Sequence, residues 1–82
     1  MLVLALDFDT DTLPKTQSIR SLYDDIKKTL SEYGFRKRRG SIYYNDIDEN
    51  PMKAAQACNA LVRVYPWYIE SVKDIRIMQV SS

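Results

Sequence analysis

Met1-Leu-Val-Leu-Ala-Leu-Asp-Phe8 opens the chain as an apolar run broken only by Asp7, and Asp9 and Asp11 close it. A run this short, apolar at odd and even positions alike, predicts an interior strand and not an amphipathic helix. Alternation along a strand sends neighbouring side chains to opposite faces, which separates Leu2, Leu4 and Leu6 from Val3, Ala5 and Asp7. The larger leucines belong against helices, so Val3, Ala5 and Asp7 are expected on the other face of the sheet.

Working outward, Ile19, Leu22, Tyr23, Ile26, Leu30 and Tyr33 recur at three- and four-residue steps and predict a helix from about Ser18 to Tyr33, with Gly34 as its C-terminal cap. Phe35 to Arg39, then Gly40, then Ser41 to Asn45 reads as a β-hairpin. Asn50-Pro51 supplies a capping residue and a first-turn proline for a second helix carrying Ala54, Cys58, Leu61, Val62 and Tyr65. Pro66 ends that helix or resets it into a short turn through Trp67 and Ile69. Asp74 to Val80, rich in β-branched residues, predicts a fourth strand.

The order strand, helix, strand, strand, helix, strand is the ferredoxin-like βαββαβ arrangement, an α+β fold with a four-stranded antiparallel sheet. Right-handed crossovers put both helices on one sheet face and make the first and third strands central. The other face, holding Val3, Ala5 and Asp7, has no helix to cover it. A symmetric second copy is expected to do so.

Composition narrows the chemistry. The chain has 82 residues, one cysteine and no histidine, with 12 basic and 11 acidic residues for a formal charge of +1. Its length predicts one domain spanning residues 1–82, with roughly 60 to 65% of the unfolded surface buried. A disulfide within the chain, a Ser/His/Asp triad, histidine acid/base cleavage and an imidazole metal site are all excluded. A metal would sit on carboxylates and water, which suits magnesium or manganese, and Asp7 is its first candidate ligand. The N-terminal run lacks the basic flank and cleavage site of a signal peptide, and no run approaches the length of a membrane helix. A reducing cytoplasm is the expected setting.

These stretches together resemble the VapD (virulence-associated protein D) family of small bacterial proteins. The resemblance rests on Leu4-Ala-Leu-Asp-Phe-Asp9, Tyr23-Asp-Asp-Ile-Lys-Lys28, the Gly34-Phe35 step, Arg39-Gly-Ser-Ile-Tyr43, and above all Pro66-Trp67 followed by Ser71-Val-Lys-Asp-Ile-Arg76. It spans almost the whole chain in the right order. The resemblance implies a homodimeric, ferredoxin-like endoribonuclease, with some relatives acting as the toxin of a toxin–antitoxin pair, so that an antitoxin protein joins RNA as an expected partner. The alternative is a non-catalytic dimeric module that binds RNA or protein, which the missing histidine and near-neutral charge keep in play.

Asp7 aligns with the family's first-strand aspartate and is the expected catalytic residue; its plainer reading is a strand-end aspartate facing water. Asp9 and Asp11 read as a solvated turn. Arg36, Lys37, Arg38 and Arg39 pack four cations into one hairpin arm, a local phosphate-binding surface on a neutral protein or an edge strand kept soluble by charge. Ser41 and Tyr43 follow with hydroxyls that could hold a phosphate, though Tyr43 and Tyr44 are also ordinary strand formers. Tyr65, Trp67 and Tyr68 offer a base-stacking platform, but their place beside Pro66 favours a core plug. Asp74 and Arg76 alternate with Ile75 and Ile77, so they could make a cross-strand pair or reach the dimer's site, and Cys58 reads as a buried residue of the second helix.

Overall fold

The computed structural model describes residues 1–81. It contains β1 (Leu2–Phe8), α1 (Ile19–Ser31), β2 (Arg36–Arg39), β3 (Ile42–Asn45), α2 (Pro51–Val64), α3 (Tyr68–Ser71) and β4 (Val72–Gln79). The strands form one sheet in the order β2-β3-β1-β4, every neighbouring pair antiparallel. This is the expected ferredoxin-like layout, with β1 and β3 central.

Local chemistry sets the boundaries. The Ser18 hydroxyl accepts from the Ser21 amide at 3.1 Å to cap α1, and the Asn50 side chain accepts from the Met52 amide at 3.0 Å ahead of Pro51 in α2. Helix α1 ends at Ser31, two residues before the expected Tyr33, and the chain reverses at Gly34 with φ +86°. Only two residues, Gly40 and Ser41, separate β2 from β3. Positive φ at Gly40 alone makes this the II′ kind of hairpin turn.

The leucines of β1 behave as their alternation requires: Leu2, Leu4, Leu6 and Phe8 enter one core cluster with Ile26, Leu30, Phe35, Tyr43, Ala54 and Leu61. The inner face of α2 differs from expectation. Ala54, Ala57, Ala60 and Leu61 are buried, whereas Cys58 is half-buried and Val62 exposed, one step round the helix. Small alanines let α2 approach the sheet closely, and they give a weak apolar signal in sequence. Strand β4 begins at Val72, immediately after α3, two residues before the expected start.

The platform reading of Tyr65, Trp67 and Tyr68 gives way to the plug. Phe8 lies 6.0 Å from Trp67 and 5.9 Å from Tyr68 between ring centroids. Tyr65 donates to the Asp25 carbonyl at 2.9 Å, pinning the end of α2 to α1.

Candidate functional site

Strand register defines what the uncovered sheet face carries. Cross-strand partners share a face, so Arg36, Tyr44, Val3 and Met78 form one row across the four strands, and Arg39, Ile42, Ala5 and Arg76 form the next. Asp7 and Asp74 stand opposite each other in a third row. Val3 is already only 8% exposed, flanked by Tyr44 and Met78. The face is thus less bare than expected, and strongly charged at both ends.

A β-bulge explains how two members of the cationic arm come to share this face. Arg36 pairs with Tyr44, Lys37 with Tyr43 and Arg39 with Ile42, leaving Arg38 without a counterpart. The extra residue restores the phase, so Arg36 and Arg39 point the same way although they lie three positions apart. Lys37, opposite Tyr43, lies on the helix side. All four cations are exposed. Arg36 is held by Asp46 at 3.2 Å and by the ring of Tyr44, 5.7 Å from its guanidinium.

Asp7 is exposed at the far end of β1, in a depression of about 200 Å³ that Ala5, Leu6, Asp74 and Arg76 also line. Arg76 donates through Nε to Asp74 Oδ2 at 2.9 Å. Ser41 reaches the same end of the sheet, its carbonyl accepting from the Leu6 amide at 3.0 Å. Two strand spacings and one pair step separate Arg39 from Asp7, about 12 Å between backbones. That is within the span of two nucleotides.

Tyr43 does not join this group. It is 1% exposed, faces the helices and packs in the core, and burial pushes its hydroxyl up to about 12. The expected RNA contact at Tyr43 is therefore corrected: a period of two places Tyr44, not Tyr43, beside the arginines. Tyr44 is the site-face residue that the sequence did not assign, and only the pairing of β3 with β1, which sets it opposite Val3, identifies it; Asp74 and Arg76, read from their alternation as a cross-strand pair or as reaching the dimer's site, stand on the Asp7 face.

Asp9 belongs to a turn, as its plainer reading has it. Its Oδ1 accepts from the Asp11 amide at 3.0 Å, and its carbonyl accepts from the Thr12 amide at 3.2 Å and hydroxyl at 3.0 Å. Among the described residues, no three carboxylate or thiol side chains come together as a metal cage. Asp7 and Asp74 offer two carboxylates of the six ligands a hard ion prefers, and Asp74 is engaged by Arg76. Asp7 and Asp74 are the carboxylates that would hold magnesium or manganese here, with water and phosphate oxygens completing its shell. No described helix is long and apolar enough to cross a membrane.

No family model matches the chain. It is 34% identical over 64 residues to the endoribonuclease VapD of Haemophilus influenzae, covering 78% of this chain and 68% of the relative. It is 33% identical over 82 residues to an endoribonuclease VapD homolog of Neisseria gonorrhoeae, covering 93% and 85%. A VapD homolog of Helicobacter pylori is 27% identical over 81 residues, covering 98% and 85%.

Proposed function

The chain belongs to the VapD family of endoribonucleases, and from that premise we propose that it cleaves RNA as a homodimer, with Asp7 as the catalytic carboxylate and the uncovered sheet face as the RNA-binding surface. The observation that carries this reading is the shared face: Asp7, Arg76, Arg39 and Arg36 all project from it. Arg36 and Arg39 hold phosphates of the incoming strand, the neighbouring Lys37 and Arg38 add positive charge at the same sheet margin, and Tyr44 offers a ring against which a base stacks. Ser41, at the turn beside β1, lies within the path of the same strand.

The chemistry available to these side chains is transesterification. The Asp7 carboxylate takes the proton of a ribose 2′-hydroxyl, whose oxygen bonds to the adjacent phosphorus while the bond from phosphorus to the 5′-oxygen breaks. Water protonates the departing 5′-oxygen. Arg76, which lines the same depression as Asp7, supplies positive charge to the phosphoryl oxygens as charge gathers on them. The products are a 2′,3′-cyclic phosphate and a 5′-hydroxyl. Cleavage of a synthetic RNA in the presence of chelator, with analysis of both new ends, tests this; activity lost on chelation, with 5′-phosphate ends formed when magnesium or manganese is restored, would overturn the metal-free route.

The same reading extends to a growth-arresting role as the toxin of a toxin–antitoxin pair. Induced alone in a bacterial host, the chain is expected to arrest growth, and Asp7→Asn to relieve the arrest at equal protein level. Growth unaffected by the active wild-type protein removes the toxin role.

A further inference from the structure

The end of β3 is held by one buried side chain. Asn45 Oδ1 accepts from the amides of Ile47 at 3.0 Å and Asp48 at 2.9 Å, which turns the backbone tightly around Asp46. Alternation sets Asp46 on the side of Tyr44, two positions earlier, and so on the open sheet face. Arg36, across the strand pair from Tyr44, reaches Asp46 Oδ1 through Nη2 at 3.2 Å. Its guanidinium lies 5.7 Å from the centre of the Tyr44 ring. A cation, a carboxylate and an aromatic ring thus meet at one corner of the face.

The Arg36 and Asp46 side chains are 59% and 52% accessible, and an ion pair so exposed adds little to the fold. What it keeps is hydrogen-bonding capacity. Among the described residues, most of the guanidinium N–H donors and Asp46 Oδ2 have no partner.

We infer that Arg36 and Asp46 together read a guanine base lying against Tyr44, and so give the chain a sequence preference at a nucleotide away from the scissile bond. The inference rests on the open face being the RNA-binding surface, and names the base that this corner of it selects. An arginine held beside a carboxylate sets donors next to acceptors. The Watson–Crick edge of guanine is the complement: O6 accepts from the guanidinium, N1–H donates to the remaining lone pair of Oδ1, and the N2 amino group donates to Oδ2. Adenine and cytosine each bring one amino group to the carboxylate, and uracil brings only N3–H. Guanine alone has two donors side by side next to an acceptor. All these bonds are charge-assisted, the stronger kind, and a site that offers them disfavours a base that leaves them unmade.

The corner lies well away from the reacting end. Val3, opposite Tyr44, precedes Asp7 by four positions on β1. With one strand spacing added, that is roughly 14 Å between backbones, about two nucleotides of extended RNA. The preference therefore concerns a flanking base and not the nucleotide whose 2′-oxygen reacts.

Anisotropy titrations with oligouridine 2′-O-methyl octamers, which cannot be cleaved through the 2′-oxygen, test the base when each carries one central guanosine, inosine or adenosine. The wild-type chain is expected to bind the guanosine octamer roughly tenfold or more tightly than the adenosine octamer, with inosine, which lacks the N2 amino group, between them. Asp46→Ala should bring the guanosine and inosine octamers to within about twofold of each other, and Asp46→Glu should keep them apart. Each preference is a ratio of affinities from one preparation, so a general loss of stability in a variant does not mimic the result. Sequencing of RNA ends left by wild-type cleavage should place guanosine about two nucleotides from the cut, an enrichment that Asp46→Ala removes. Equal wild-type affinity for all three octamers, or a gap between guanosine and inosine that survives Asp46→Ala, overturns the guanine site and leaves the open face binding RNA without choice of base. Enrichment confined to the nucleotides bordering the cut overturns its placement at this corner. If none of the octamers binds, the open face falls as an RNA surface and the guanine site falls with it.

Discussion

Asp7 sits exposed on the open face with Asp74 directly across the strand pair, so its charge contributes nothing favourable to the fold through that neighbour. Replacing it by asparagine keeps shape and hydrogen-bonding capacity while removing the repulsion, an effect of roughly 0.2 to 1 kcal/mol. Asp7→Asn is therefore expected to abolish RNA cleavage while leaving stability equal or slightly higher. Urea unfolding and RNA cleavage measured on one preparation decide the matter, and a destabilised but active variant would remove Asp7 from catalysis. Tyr43 presents the opposite case. Its hydroxyl is buried with no hydrogen-bond partner among the described residues, so Tyr43→Phe should leave RNA binding intact and stability unchanged or raised. The folded phenol resists ionisation to about 12 while the unfolded one titrates near 10.0. Stability is thus unaffected by this group below pH 10, falls as the unfolded state ionises between pH 10 and 12, and should fall less steeply in Tyr43→Phe. Unfolding midpoints across that range read the difference directly.

Between elements, the junctions carry what the elements alone do not. Gly34 joins α1 to β2 with φ +86°, and a Cβ there would lie 2.9 Å from Asn45 Nδ2. That amide donates to the Tyr33 carbonyl at 3.2 Å, while Asn45 Oδ1 accepts from the amides of Ile47 and Asp48. Gly34→Ala therefore strains the backbone and displaces a buried hub, at a cost of about 2 to 4 kcal/mol, whereas Gly40→Ala, with φ +56° but open space around it, should cost only about 1 to 2 kcal/mol. Denaturant midpoints of the two variants test the contrast. These elements were largely legible in sequence because period and caps are local: β1 announced its inward leucines, and Ser18 and Asn50 their helices. The choice between Tyr43 and Tyr44 was not legible. It depends on the length of the Gly40-Ser41 turn and on the bulge at Arg38, and both are settled by pairing with distant strands. The phase of α2 was obscured for a different reason, since Ala57 and Ala60 hold the close approach without a hydrophobic signal of their own. Because the bulge brings only Arg36 and Arg39 onto the Asp7 face, the double change to serine should flatten the salt dependence of RNA binding by roughly 1.4 logarithmic units per logarithmic unit of salt, and Lys37→Ser by less. Equal effects from the two variants would assign the whole arm to diffuse charge.

The molecule as a whole exposes 5380 Å², close to the roughly 5100 Å² of an average folded monomer of its 9.6 kDa mass. Its case for association therefore lies in where apolar surface sits and not in how much there is. If the subunits associate as proposed, the dimer and not the monomer is the species whose stability thermal unfolding reports, and mass action makes the unfolding temperature rise with protein concentration. Each tenfold increase in concentration adds about 1.4 kcal/mol to the apparent stability of a dimer that unfolds directly to monomers. RNA cleavage per subunit should fall over the same concentration range in which the dimer dissociates if a second subunit completes the site around Asp7. Thermal unfolding and cleavage rate, both followed from nanomolar to tens of micromolar protein, test this coupling. A cleavage rate per subunit that stays constant through dissociation would make each subunit a complete catalyst on its own, and would separate the dimer's contribution to stability from any contribution to chemistry.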